Sequence, residues 1–151
     1  GVIRAPALGE EISARVGEGA WFRSGSNPAV RAQVGSTPSL SEGLLVTSEV
    51  ATFDRHREPP AMEVFLDLQK KCRLVRTWGD AYGYMMVATG RADVMIDPEM
   101  SLWDAAAVQP VIEEAGGRFC DWKGTRTVHS GEAIAGSLAL VEEVLAVTRG
   151  W

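Results

Sequence analysis

The stretch Trp103-Asp104-Ala105-Ala106-Ala107, which runs on to Glu114-Ala115-Gly116-Gly117, is the most informative part of this chain. It predicts a helix over Asp104 to Ala115 that a pair of glycines ends. Its small side chains would let the helix backbone pack close to a neighbouring element. Asp104 falls at the helix start, where unpaired N–H groups and the helix dipole favour an anion. This aspartate therefore either caps the helix or faces a cation.

Strands and helices alternate around this helix from residue 44 onward. Strands are predicted over 44–47, 74–76, 94–96, 118–120 and 133–135, and further helices over 61–71, 81–89 and 138–147, with Asp80 as a cap. Before residue 44, strands over 2–8, 11–15 and around 21–22 predict an antiparallel meander, followed by an exposed connection or edge strand. The predicted fold class is α/β, layered as in α+β proteins, with a mixed β-sheet flanked by helices. Residues 1–43 form the meander and 44–151 the α/β layer.

Composition limits the function classes. The chain has 151 residues and is 46% hydrophobic, which predicts one folded domain. Its formal net charge of -5 argues against non-specific binding to nucleic acid phosphates. No apolar run is long enough to cross a bilayer, so we expect no membrane partner and a cytoplasmic protein. Cys72 and Cys120 lack zinc-ligand spacing and are predicted to be reduced, mostly buried thiols. Trp78, Trp103 and Trp122 are predicted to be packing residues.

Several motifs resemble the inositol monophosphatase family of magnesium-dependent phosphatases. They are Arg76-Thr77-Trp78-Gly79-Asp80, the segment from Val87 to Asp93, the segment from Trp103 to Gly117, and Asp121-Trp122-Lys123-Gly124. The first of these is most similar to the histidinol-phosphate phosphatase branch. The resemblance implies the carboxy-terminal portion of the sugar-phosphatase fold, so we expect the chain to begin within a longer protein whose upstream part completes the sheet of the early strands.

The resemblance also implies a function and a site. It implies Mg²⁺-dependent hydrolysis of a small phosphorylated metabolite, either histidinol phosphate in histidine biosynthesis or, alternatively, inositol phosphate or a related sugar or nucleotide phosphate. Asp104 is implied as a single metal ligand, because the family's Glu-Glu and Asp-Pro-Ile-Asp-Gly-Thr motifs would precede this segment. The implied substrate contacts are Gly79, Asp80, Ala81, Asp97 and, from a nearby loop, His129. No catalytic residue is implied within this segment, which alone is expected to be inactive.

Other interpretations stay open at this stage. Asp80 and Asp97 also fit a helix cap and an Asp-Pro turn, although an acidic residue at either position would attract an ammonium or imidazolium group. The pair Glu10-Glu11 copies a metal motif in the wrong place along the chain and is interpreted as a surface coincidence. His56 is predicted to be an exposed loop residue. A non-catalytic fragment or oligomerisation module is the alternative of a different class, and the family resemblance allows a homodimer.

Overall fold

The first part of the chain forms an antiparallel sheet of four short strands. The computed structural model describes residues 1–55 and 60–151, with Asp80 described by its backbone alone; His56 lies outside the described residues. The strands follow one another in space as β1 (Val2–Ala5), β2 (Glu10–Arg15), β3 (Gly19–Ser24) and β4 (Val30–Arg31). The predicted meander is confirmed, and exposed β4 is one of its two edge strands.

One predicted strand is shorter than expected. Pro6–Leu8 forms a single 3-10 turn instead of continuing β1. Proline has no N–H to pair with a neighbouring strand, and its fixed φ suits a turn. Gly9 then reverses the chain at a φ of 65°, a backbone conformation that glycine adopts without strain.

The second sheet has five strands, and the candidate site lies at the carboxyl ends of its central strands. Its strands are β5 (Leu44–Thr47), β6 (Leu74–Thr77), β7 (Val94–Asp97), β8 (Arg118–Cys120) and β9 (Ala133–Gly136), in the spatial order β6-β5-β7-β9-β8. Strand β5 is parallel to β6 and β7, whereas β9 is antiparallel to β7 and β8. All four residues of β7 are buried, as expected for a central strand covered on both faces.

Helices cover both faces of this sheet. They are α1 (Thr52–Arg55), α2 (Met62–Lys71), α3 (Asp80–Ala88), α4 (Leu102–Glu114) and α5 (Leu138–Thr148). Helices α3 and α4 lie between the two sheets, where Ile12 of β2, Val87 of α3 and Ile112 of α4 share one core. Helices α2 and α5 pack around Leu45 on the opposite face. The predicted mixed sheet flanked by helices is confirmed, while the division at residue 43 stays a prediction.

Two helices begin earlier than the sequence indicates. Helix α4 starts at Leu102, so Asp104 lies in its first turn and Ser101 is the cap residue. Helix α3 starts at Asp80 with Gly79 as its cap residue, so Asp80 is a helical residue and not the cap. Glycine is an accepted residue at a helix cap because it adopts extended backbone angles readily. None of the described helices is long and apolar enough to span a membrane.

The last residue of α4 ties this helix to the turn between β2 and β3. The two carboxylate oxygens of Glu114 each accept a hydrogen bond of 2.8 Å, from the backbone N–H groups of Gly17 and Gly19. These bonds favour the ionised form and hold the pKa of Glu114 below its usual value. The contact therefore stabilises the fold above the pKa of Glu114 in the unfolded chain, and its contribution is lost as the pH falls through the lower, folded-state pKa.

We expect Glu114→Gln to lower the melting temperature at pH 7, because an amide offers only one acceptor to two N–H groups. Melting curves of both proteins between pH 7 and pH 3 test this, with the difference shrinking toward the acid end. A difference that stays constant with pH would contradict the assigned role of the charge.

Gly83 lets α3 pack tightly against β7. A Cβ atom at this position would lie 2.5 Å from the sulfur of Met95 and 2.6 Å from the backbone oxygen of Trp78. Both distances are far inside van der Waals contact, and the backbone oxygen cannot turn away as a side chain can. The glycine is therefore needed for the close approach of helix and strand.

We expect Gly83→Ala to lower the free energy of unfolding by about 1–3 kcal/mol, the range for overpacking a close-packed interior. Chemical denaturation of the two proteins measures the change. Helix propensity alone would give the opposite sign, with alanine more stable by about 1 kcal/mol. A stabilised variant would therefore show that the contact is looser than described.

Candidate active site

A pocket of about 400 Å³ opens where the parallel strands of the second sheet end. Ser48 follows the carboxyl end of β5, and Asp97 is the last residue of β7. Ligands commonly bind at this edge of a sheet with parallel strands. The pocket is lined by Ser48, Ala81, Tyr84, Asp97, Glu99, Met100, Asp104 and Val108. Three predicted site residues, Ala81, Asp97 and Asp104, therefore meet in one cavity.

Asp104 reaches this pocket from the first turn of α4. Its Oδ2 atom accepts a hydrogen bond of 3.2 Å from the backbone N–H of Ser101, so the side chain supports the helix start. Its Oδ1 atom accepts no hydrogen bond from the described residues. The two interpretations offered by the sequence are therefore compatible, since one oxygen holds the helix start and the other remains available to a ligand.

Asp97 is a buried carboxylate whose oxygens are both hydrogen-bonded. Its side chain accepts bonds from the Tyr84 hydroxyl (2.8 Å), the Ser48 backbone N–H (2.9 Å) and the Thr47 hydroxyl (3.4 Å). Its backbone oxygen accepts a bond of 3.2 Å from the indole N–H of Trp122. Burial raises the pKa of Asp97, and the hydrogen bonds from Ser48, Tyr84 and Thr47 offset part of this effect.

Tyr84 belongs to the pocket, although the sequence analysis did not select it. Its hydroxyl lies 2.8 Å from Oδ2 of Asp97, and burial, together with the charges of Asp97 and Asp104, raises its pKa well above the ordinary value. The phenol therefore stays protonated and donates to Asp97. Its place on α3, three residues after Ala81 and on the same helix face, is the signal that could have identified it.

Glu99 and Ser48 were also not selected. Glu99 lines the pocket with an exposed side chain, two residues beyond Asp97. Ser48 directly follows a predicted buried strand, a position at which functional side chains are common in sheets of this kind. Among the described residues that line the pocket, every ionisable side chain other than Tyr84 is a carboxylate.

Gly79 and His129, two of the remaining predicted substrate contacts, are not among the residues that line the pocket. Gly79 caps α3, and a Cβ atom built on it would meet nothing within 4 Å, so it faces open space. The side chain of Asp80 lies outside what the structure describes. His129 is exposed in the loop between β8 and β9; this loop contacts the pocket residue Met100 through Gly131, whose oxygen accepts the Met100 N–H at 2.7 Å. His129 itself is not among the lining residues.

Glu10 and Glu11 do not line this pocket, and both form ion pairs with arginines. Glu10 accepts hydrogen bonds from Arg91 at 3.0 Å, and Glu11 lies between Arg4 at 2.9 Å and Arg23 at 3.1 Å. Among the side chains that the structure describes, no group of three or more His, Cys, Asp or Glu could hold a metal ion. Asp104 could therefore supply one ligand of a cation, but the described side chains do not form a complete ligand set.

Neither cysteine lines the pocket or offers a reactive thiolate. Cys72 and Cys120 are both free thiols, the first partly and the second fully buried. Burial raises the pKa of each to about 11, with the charge of Glu143 adding to the effect at Cys72. Both are therefore thiols rather than nucleophilic thiolates at neutral pH.

Comparison with known proteins relates this chain to one family. The sequence pattern described as the Inositol monophosphatase family matches residues 1–149. The chain is 41% identical to a histidinol-phosphatase of Chlorobaculum parvum, over 89% of this chain and 49% of that protein, and 36% identical to a histidinol-phosphatase of Streptomyces coelicolor, over 96% and 53%. The inositol monophosphatase from Anabaena (Nostoc) sp. superposes with a TM-score of 0.83 at 26% identity, over 97% of this chain and 59% of that one. The chain spans about half the length of the curated relatives that it matches.

Proposed function

Because the chain belongs to the inositol monophosphatase family, we propose that the protein carrying it is a Mg²⁺-dependent phosphomonoesterase that acts on histidinol phosphate. The proposed reaction belongs to histidine biosynthesis and takes place in the cytoplasm. The observation that carries it is the pocket in which Asp97, Glu99 and Asp104 line one cavity of about 400 Å³. A phosphate ester could approach such an anionic cavity only if cations offset the repulsion.

Asp104 is the residue in this segment that would hold Mg²⁺. When bound, the ion supplies an activated water and neutralises charge on the phosphate in an in-line displacement. The N–H of Ser101 fixes Oδ2 of Asp104 at 3.2 Å, so the carboxylate needs little reordering to present Oδ1. Mg²⁺ is often held by only one or two carboxylates together with substrate phosphate and water, which is compatible with a single ligand from this part of the fold.

Asp97 and Glu99 would receive the leaving alcohol. Histidinol carries an ammonium group and an imidazole, and a carboxylate attracts both an ammonium and an imidazolium through charge-assisted hydrogen bonds. Tyr84 and Ser48 fix Asp97 at 2.8 and 2.9 Å, so this carboxylate is oriented before a ligand arrives. Gly79 and the backbone of Asp80 and Ala81 would form the adjoining wall at the start of α3. His129 would approach from the loop next to Met100.

Inositol phosphate is the second candidate substrate. The similarity to the inositol monophosphatase from Anabaena favours it, and the hydroxyl groups of Ser48 and Tyr84 could bond to a polyol. A neutral polyol, however, would bring no positive charge to the carboxylate of Asp97. This difference is why we favour the cationic alcohol.

Phosphate release by the complete protein separates these proposals. We expect Mg²⁺-dependent release with a higher kcat/KM for histidinol phosphate than for inositol 1-phosphate, and loss of release in EDTA that added Mg²⁺ restores. A higher kcat/KM for the inositol ester would favour the second candidate. Release from neither ester by a folded protein loaded with Mg²⁺ would favour a non-catalytic or oligomerisation module.

A further inference from the structure

The backbone of Trp78, a residue with an exposed indole ring, lies beside the candidate site, although Trp78 is not among the residues that line the pocket. Trp78 was expected to be a packing residue, but its side chain is 44% exposed, whereas that of Trp122 is fully buried. We propose that the ring of Trp78 forms a wall of the leaving-alcohol subsite and stacks against a planar or cationic ring of that alcohol. This inference rests on the proposed phosphatase function and adds a specificity-determining residue to it.

The backbone holds Trp78 next to the pocket on two sides. Its N–H donates a hydrogen bond of 2.9 Å to the oxygen of Thr47, the residue before pocket-lining Ser48. Ala81, three residues further along the chain, lines the same pocket. Trp78 thus lies between two lining segments, at the edge of the sheet where β5, β6 and β7 end.

The indole is supported from one side. Its ring lies 6.3 Å from that of Tyr82, tilted by 40°. Tyr82 is itself held, since its hydroxyl donates to Glu10 at 3.1 Å and accepts from Arg91 at 3.2 Å. A large side chain that is already fixed loses little conformational entropy when a ligand packs on it.

The chemistry of the ring selects a class of ligand. The face of an indole attracts cations and stacks with other aromatic rings. An imidazolium group could place its face on Trp78 while its N–H groups approach Asp97 or Glu99. Inositol offers neither a positive charge nor an aromatic face. Trp78 should therefore favour ring-bearing, cationic alcohols over polyols.

The test compares three variants of the complete protein: Trp78→Ala, Trp78→Phe and the control Trp21→Ala. Trp21 is 43% exposed but lies on β3 of the four-stranded sheet. We expect Trp78→Ala to raise KM for histidinol phosphate and to weaken calorimetric binding of histidinol by about tenfold, the effect of losing one stacked ring. Trp78→Phe should keep most of the affinity, and Trp21→Ala should change neither value. KM for inositol 1-phosphate should stay within about twofold in every variant.

Two results would overturn the inference. One is an unchanged KM and histidinol affinity in Trp78→Ala; the other is an equal loss for both esters, which indicates a packing role. If the unmodified protein hydrolyses neither ester, the phosphatase proposal fails, and histidinol calorimetry still decides the role of Trp78. Binding that Trp78→Ala weakens would then support the ring-binding wall, and absence of binding would overturn it.

Discussion

Replacement of Asp104 by asparagine is expected to lower Mg²⁺-dependent phosphate release by about a hundredfold or more. Mutation of a residue that only hydrogen-bonds to a metal ligand typically lowers metal affinity or activity by about 10- to 100-fold. Loss of the ligand itself should lower activity by at least as much. Asparagine retains one side-chain oxygen that can accept the Ser101 N–H, so the start of α4 should survive. The measurement is kcat/KM for histidinol phosphate as a function of Mg²⁺ concentration.

Asp67→Asn is the matched control for this variant. Asp67 also lies in a helix, α2, on the other side of the five-stranded sheet, where it pairs with Lys70 at 3.4 Å. The control should retain full activity and the Mg²⁺ dependence of the unmodified protein. Equal activity of the Asp104 and Asp67 variants at every Mg²⁺ concentration would remove Asp104 from the metal site.

Replacement of Asp97 by asparagine is expected to raise KM for histidinol phosphate by about 10- to 100-fold. This range corresponds to the roughly 1.5–3 kcal/mol that a hydrogen bond to a charged group contributes. The amide keeps an oxygen for the Ser48 N–H, and the Tyr84 hydroxyl can accept from its NH₂ group. KM for inositol 1-phosphate should change much less, because a polyol carries no positive charge that could pair with the carboxylate of Asp97.

The same variant is expected to be more stable than the unmodified protein at pH 7. An aspartate in an unfolded chain has a pKa of about 3.9, and burial raises that of Asp97 in the fold. Between these two values the folded state binds more protons than the unfolded state, so stability falls as the pH rises through this window and is constant above it. Asparagine avoids this loss, because it carries no charge.

Thermal melts from pH 3 to pH 8 check the stability of Asp97→Asn. The two proteins should melt at similar temperatures near pH 3, with the variant progressively higher above about pH 4, where aspartate ionises in the unfolded chain. Tyr84→Phe serves as the comparison, since it removes a donor to Asp97 while keeping the charge. A variant that is less stable at pH 7 and keeps its KM would show that Asp97 is a structural residue.

Much of the fold follows from local sequence signals. Apolar runs such as that of β5, and the glycines after α4, mark where elements begin and end, because burial and glycine backbone angles are local constraints. Periodicity did not predict that Pro6–Leu8 leaves the first strand, although the proline itself signals it. The first two residues of α4 were also missed, since helix starts differ little in propensity over two residues.

The site depended on contacts that are distant in sequence. Asp97 receives its partners from Ser48 and Tyr84, 49 and 13 residues away, so neither its burial nor its raised pKa could be inferred from the Asp-Pro turn. The predicted packing role of Trp103 is wrong, since its side chain is 80% exposed. A tryptophan beside a helix start resembles a core residue in sequence, and only the position of the helix decides which way it faces.

Anomalous diffraction from crystals of the complete protein soaked in Mn²⁺ tests the central claim most directly, because Mn²⁺ takes the same oxygen ligands as Mg²⁺. We expect an anomalous peak at about 2.2 Å from Oδ1 of Asp104, inside the pocket that Asp97 also lines. Crystals that bind Mn²⁺ elsewhere, with no peak near this carboxylate, would contradict the account.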